Sequence, residues 1–184
     1  MDARVQDRDG FRSFAAERLP ALHRSALFLV GDPYLAEDLV QETLTRLFVA
    51  WGRTAIDNPA AYAHTVLTRV FLSSRRRRSS TEYPVDTVPE VSYDDSDIAA
   101  RLDLQRGLAL LGEVDRAIVV LRYLDDRSVD EVAAVVRLTP GNVRVRASRA
   151  LVRLRDVVDR HERAGGDPEQ ARAEGATGEG GPRD

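Results

Sequence analysis

The sequence predicts an all-α chain in which two small helical domains are joined by a flexible acidic linker. Apolar residues recur at helical spacing through most of the chain, and no stretch keeps the two-residue alternation of a strand. Between Ser79 and Asp97 the pattern breaks: STEYPVDTVPEVSYDDSD carries two prolines, six acids and no arginine, the composition of an extended tether. At 184 residues the chain can hold one or two domains with modest cores.

The elements follow in order. Residues 1–10 form a charged N-terminal extension (Asp2, Arg4, Asp7, Arg8, Asp9) without the apolar stretch of a secretion signal. The first unit spans residues 11–78. Its first helix is expected over Phe11–Val30, with Phe11, Phe14, Ala15, Leu22, Ala26 and Leu29 on one side, and Pro20 either kinking it or starting its second half. Gly31 closes that helix and Asp32-Pro33 opens the next. The second helix, Pro33–Trp51, is expected to bury Leu35, Leu39, Val40, Thr43, Leu44, Leu47, Phe48 and Trp51. After the loop GRTAIDN, Asn58-Pro59 opens a third helix that runs through Val66, Leu67, Val70 and Phe71 to Arg75, Arg76, Arg77 and Arg78. The tether occupies 79–97. The second unit, 98–160, begins with helices over Ile98–Leu111 and Val114–Leu124. Residues 161–184 lack large apolar side chains and are expected to be disordered.

The most telling stretch is Ser128–Arg155, SVDEVAAVVRLTPGNVRVRASRALVRLR. Val129, Val132, Ala133 and Val136 line one helical face, and Asp130 and Glu131 sit in the first turn, where the helix dipole favours negative charge. Thr139 caps the following helix and Pro140 suits its first position. That helix turns Val143, Ala147, Ala150, Leu151, Leu154 and Val158 toward a core, and carries Arg144, Arg146, Arg149, Arg153 and Arg155 on its other side. No acid interrupts Leu138–Arg155, whereas an ordinary solvated face mixes signs to gain pairs one turn apart. A short helix, a tight turn and a basic helix over 128–147 are the pattern of a helix-turn-helix that lays its second helix in the major groove.

Composition constrains the rest. The formal charge is −3, so bulk charge says nothing of nucleic acid, but the distribution does. All 27 basic residues are arginine, the side chain that grips phosphate and guanine bidentately, although GC-rich coding explains such usage as well. Cysteine is absent, which excludes disulfides and thiolate metal sites and allows a reducing cytoplasm. No apolar run approaches the roughly 20 residues of a membrane span. There is no Gly-rich phosphate loop and no clustered His and carboxylate spacing, so neither a catalytic residue, a cofactor nor a metal is expected.

Two further faces carry chemistry. On the second helix Asp38, Gln41, Glu42 and Thr45 share one side, flanked by Leu44 and Arg46; this is either a plain solvated face or a docking face for a basic partner. On the third, Tyr62, Thr65 and Arg69 share a side, with His64 and Thr68 beside it, ahead of the four arginines. An aromatic among polar groups, backed by cationic charge, suits phosphates and unstacked bases, where the plainer reading is a solubilising run.

Taken together these parts resemble a known family. GDPYLAEDLVQETLTRLFVAW is similar to region 2 of bacterial sigma factors, whose DLVQE segment binds the clamp helices of RNA polymerase. LALLGEVDRAIVVLRYLDDRSVDEVAAVVRLTPGNVRVRASRALVRLR is similar to region 4, which reads the −35 promoter element. Two such halves without a full region 3 resemble the extracytoplasmic-function group (group 4) of the sigma-70 family, over roughly Phe11–Arg160. The resemblance implies a non-catalytic, cytoplasmic specificity subunit that binds core polymerase, recognises two promoter elements and starts melting. Asp38, Leu39, Gln41, Glu42, Leu44, Thr45 and Arg46 would meet the clamp of the largest subunit. Asn142, Arg144, Val145 and Ser148, with Thr139 at the helix start, would face −35 bases while Arg146, Arg149 and Arg153 hold phosphates. Arg53, Asn58, Tyr62, Thr65, Arg69 and Arg75, Arg76, Arg77 and Arg78 would hold the −10 non-template strand. The acidic tether would be either a polyanion suited to the basic channel that nucleic acid otherwise fills or a plain solvated tether. An anti-sigma factor is a further partner class; membrane insertion and a homo-oligomer are not implied. The chain departs from the family pattern at Gly112, where proline is usual, and at Arg69 and Ser73, which stand where Asn and Asp are common. A stand-alone helix-turn-helix regulator would need a dimer surface, and no heptad seam supplies one; a helical adaptor would leave the acid-free arginine face unexplained.

Overall fold

The computed structural model describes the backbone at residues 3–51, 56–78 and 95–165, and side chains at 8–51, 56–74 and 102–157. Its regular elements are all helical: α1 (Ala3–Val30), α2 (Pro33–Trp51), α3 (Pro59–Arg78), α4 (Asp95–Ala109), α5 (Glu113–Val119), α6 (Val129–Val136) and α7 (Pro140–Gly165), with a π-turn over Val120–Leu124 continuing α5.

Local chemistry sets the boundaries. Gly31 ends α1 with φ 79°, a left-handed conformation that suits a residue without Cβ. Asp32 Oδ1 then accepts the Leu35 N–H at 2.8 Å, and Asn58 Oδ1 accepts the Ala61 N–H at 2.9 Å, so both expected caps are formed. Ser128 and Glu131 make a reciprocal capping box at the start of α6. Arg137 ends that helix at φ 58°, and the Leu138 N–H reaches back to the Ala133 carbonyl at 3.1 Å. Gly112, which stands where the resembled family usually has proline, holds φ −59°, the value proline enforces, and a Cβ there would meet nothing within 4 Å.

Several boundaries differ from expectation. Residues 3–10 are the first turns of α1 rather than an extension, and Pro20 sits within that helix without ending it. Pro20 and Ala16 both face solvent, where water can take up the carbonyl that loses its partner. Asp95–Asp97, assigned to the tether, open α4, where acids meet the positive end of the dipole. His161–Gly165, assigned to the tail, extend α7, because adding a residue to a formed helix costs far less than nucleating one. Phe48, expected in the core, is 46% exposed and meets Phe11 edge-on at 5.2 Å. The tether at 79–94 and the tail from 166 lie outside the described residues.

The two helical units share an interior. One apolar cluster joins Leu22, Leu29, Leu47, Leu67 and Phe71 of α1–α3 to Leu108, Leu111, Ala117, Val120 and Leu154 of the second half. A second cluster packs Ile118 and Leu121 of α5 and its π-turn against Val132, Val143 and Ala147 of the helix-turn-helix. Gly107 lets α4 approach α7 closely: a Cβ there would stand 2.8 Å from Leu154 Cδ2.

Arg116 locks this arrangement. Its side chain is buried, with Nη1 donating to the Leu29 carbonyl at 2.8 Å and Nη2 to those of Ala109 and Leu111 at 2.9 and 3.2 Å. The guanidinium thus satisfies carbonyls at the ends of α1 and α4, where the helix dipoles favour a cation. Arg116→Met should destabilise the folded chain by about 3 kcal/mol in chemical denaturation, since hydrogen bonds from a charged donor are lost and carbonyls are left unpaired. Ser128→Ala should cost about 1 kcal/mol. Hydrogen bonds from the Ser128 backbone N–H and then its hydroxyl hold the Glu131 carboxyl below the usual carboxylate range. A lowered acid pKa stabilises above the unfolded value and ceases to do so as pH falls through the folded value. The stability gap between the native chain and Glu131→Gln should therefore be present at neutral pH and close in acid titration.

Candidate polymerase and nucleic-acid interfaces

The outer face of α2 presents Asp38, Gln41, Glu42, Thr45 and Arg46 to solvent. Leu39, expected among the docking residues, is 6% exposed and belongs to the core; at one position after Asp38 it falls on the inner side of the helix. Leu44 is half-buried against the same core. Arg46 Nε pairs with Glu42 Oε1 at 2.8 Å, and the Thr45 hydroxyl donates to the Gln41 carbonyl at 2.9 Å. Asp38 has no ion pair among the described residues, so it carries the unneutralised charge of this face.

On α7, Val143, Ala147, Ala150 and Leu154 are buried, and the opposite side exposes Asn142, Val145, Ser148 and Arg149. Arg144 and Arg155 lie along one flank, Arg146 and Arg153 along the other. The second flank is not available as expected. Asp115 of α5 accepts Arg146 Nε at 2.6 Å and lies 3.8 Å from Arg153 Nη1. Both arginines are thereby drawn toward the protein, although Arg146 keeps its Nη groups for other acceptors. Sequence reading missed Asp115, because the only signal was an acid thirty-one positions before its partner. The Thr139 hydroxyl accepts the Asn142 N–H at 3.3 Å and serves as a cap.

The α3 face is brought against the second half. Asn58, Tyr62, Thr65 and Arg69 line one wall of a cleft of about 380 Å³, and Arg127, Glu131 and Val135 of the helix-turn-helix line the other. Thr68, placed beside this face from sequence, is 1% exposed and interior. Ser73, at the second departure position, donates to its own helix at the Val70 carbonyl, 2.9 Å away. The side chains of Arg53, Arg75, Arg76, Arg77 and Arg78 lie outside the described residues.

His64 leaves the cleft wall for a contact between the halves. Its Nδ1 lies 2.8 Å from Asp125 Oδ2, while Oδ1 of the same carboxylate accepts the Ser25 hydroxyl at 2.6 Å. The Asp125 side chain is 3% exposed and Ser25 is fully buried. Asp125 also closes the π-turn, its N–H donating to the Val120 carbonyl at 3.1 Å.

Comparison with known proteins accords with this geometry. The family model for sigma-70 region 2 matches residues 14–81, and that for sigma-70 region 4 matches residues 101–154. The RNA polymerase sigma-E factor of Streptomyces avermitilis is 36% identical over 158 residues, covering 81% of this chain and 85% of that protein. The extracytoplasmic-function RNA polymerase sigma factor SigL of Mycobacterium tuberculosis is 34% identical over 157 residues, covering 78% and 86%. Among solved structures, the sigma factor RpoE of Bartonella quintana, in complex with the anti-sigma factor NepR, is similar with a TM-score of 0.70 and 25% identity, covering 82% of this chain and 97% of that one. With both regions in chain order and relatives this close along most of its length, the chain belongs to the extracytoplasmic-function group of the sigma-70 family, RNA polymerase sigma factors that act in transcription initiation.

Proposed function

We propose that α2 docks on the clamp of the largest polymerase subunit through Asp38, Gln41 and Glu42, with Leu44, Thr45 and Arg46 at its margin. Asn142, Arg144, Val145 and Ser148 read −35 base edges, and Arg149 with the flanking arginines grips phosphates, which position the helix without specifying sequence. Asn58, Tyr62, Thr65 and Arg69, continued by Arg53 and Arg75–Arg78, hold the unpaired −10 strand by stacking and by phosphate contacts. The chain adds specificity to polymerase and performs no covalent chemistry of its own. Among the described residues no helix is long and apolar enough to cross a membrane, and we place the chain with polymerase in the cytoplasm. An anti-sigma factor is a fitting partner, since the Bartonella quintana relative is bound to one.

The observation that supports this reading best is the separation of surfaces: an acidic face on α2 and an acid-free arginine face on α7, both exposed and carried by different halves. Run-off transcription with purified core polymerase tests it; promoter-specific transcripts should require this protein, and their absence would reject the reading. Charge reversal at Asp38 and Glu42 together should abolish co-purification with core polymerase while circular dichroism stays helical. Arg144→Ala should weaken −35 binding by about 1–3 kcal/mol and relax the preference at one base position, read by competition with duplex variants.

A further inference from the structure

Arg146 is held at its neck and free at its fork. Asp115 Oδ1 accepts from its Nε at 2.6 Å, and no other described residue takes its Nη groups. The Arg146 side chain is 42% exposed, whereas that of Asp115 is 16% exposed.

The carboxylate is itself fixed in place. Asp115 sits in the first turn of α5, where the helix dipole favours an acid. Its neighbours on both sides are anchored. Val114 packs on the apolar cluster of the helix-turn-helix, and Arg116 is bound to three carbonyls. Asp115 therefore belongs to the scaffold and Arg146 to the surface.

The surface needs such a support. Arg146, Arg149 and Arg153 stand at i, i+3 and i+7 on α7, and like charges one turn apart repel. Asp115 sets one anion beside two of them, since its Oδ2 lies 3.8 Å from Arg153 Nη1. The strong bond is made through Nε, the donor nearest the backbone of Arg146. The planar guanidinium thus keeps an edge of N–H donors for a second acceptor, and a phosphate matches such an edge bidentately. An unrestrained arginine gives up its rotamer freedom when it grips a phosphate, and one already held has less to lose. Bare charge argues the opposite effect, because an acid beside a polyanion weakens binding.

We propose that Asp115 is a positioning residue for the DNA backbone: it pre-orders Arg146 with its Nη edge free, so that α7 meets a phosphate beside the −35 groove in one register. The inference rests on the assignment of α7 to duplex DNA made above.

The full chain is titrated with a labelled duplex of mixed sequence, since phosphate contacts carry no sequence information. Fluorescence anisotropy over a range of salt concentrations reads affinity and salt slope together. Arg146→Ala should weaken binding and lower the slope by about one. Asp115→Ala should weaken binding about fivefold although it removes a negative charge, the size of effect expected between residues in contact. Asp115→Asn, whose amide oxygen still accepts from Nε, should restore most of that loss. In the Arg146→Ala background Asp115→Ala should no longer weaken binding, whereas it should add to Arg144→Ala on the far flank. Where Asp115→Ala does not keep its helical content, Arg146→Lys replaces it: the charge and the salt slope stay, and affinity should fall because an ammonium offers no fork. Native affinity in that variant would overturn the inference. Tighter binding by Asp115→Ala would do so too, leaving the carboxylate a plain repulsive charge. So would additive losses from Asp115→Ala and Arg146→Ala, or a lowered denaturation midpoint with affinity unchanged, the mark of a mere staple between α5 and α7. A native chain that binds no duplex at any salt would instead remove α7 from DNA, and the reading on which this inference rests.

Discussion

The arrangement depends on one buried cation. Arg116 lies at the start of the second half, yet one of its hydrogen bonds goes to Leu29, at the end of the first helix of the other half. The same guanidinium takes the Ala109 and Leu111 carbonyls, so the turn between α4 and α5 is built around it. The guanidinium presents several N–H donors in a fixed fork, and two of its nitrogens divide these three carbonyls between them. Once that point is fixed, α5 is seated on α1, its π-turn emerges beside α3, and the helix-turn-helix faces the first half in one orientation.

The consequences are electrostatic as well as steric. The carboxylate of Asp125 is tolerated in the interior because Ser25 and His64 meet it there, and Asp115 draws back Arg146 and, more loosely, Arg153. The arginine face of α7 is thus not a uniform cationic stripe. Arg144 and Arg149 have no carboxylate partner among the described residues, whereas the Arg146 flank is partly neutralised from within.

Much of the site was legible because its signals are local. Asp38, Gln41 and Glu42 fall on one face by helical spacing, and they are exposed together. The caps at Asp32, Asn58 and Thr139 announce themselves by residue type beside an apolar run, and all three form, while the Ser128 capping box is one the structure adds. Local spacing is ambiguous where one residue can face either way. Leu39 adjoins the acidic face in sequence but points into the core, Thr68 is likewise buried on α3, and Phe48 falls on the apolar side by spacing yet is left half open beside the aromatic cluster of Phe11, Phe14 and Trp51.

By itself the sequence determined the helical class, the order of the two units, the helix-turn-helix and the chemical sign of each surface, because helical periodicity, capping and charge clustering act over a few neighbouring residues. Only the tertiary structure decided that the units share an interior, that Arg116 bridges them, that Asp115 restrains one flank of α7, and that Ser25 and His64 of the first unit meet Asp125 of the second. Those contacts join residues 31 to 100 positions apart, where nothing in local spacing distinguishes a partner from any other serine, histidine or acid.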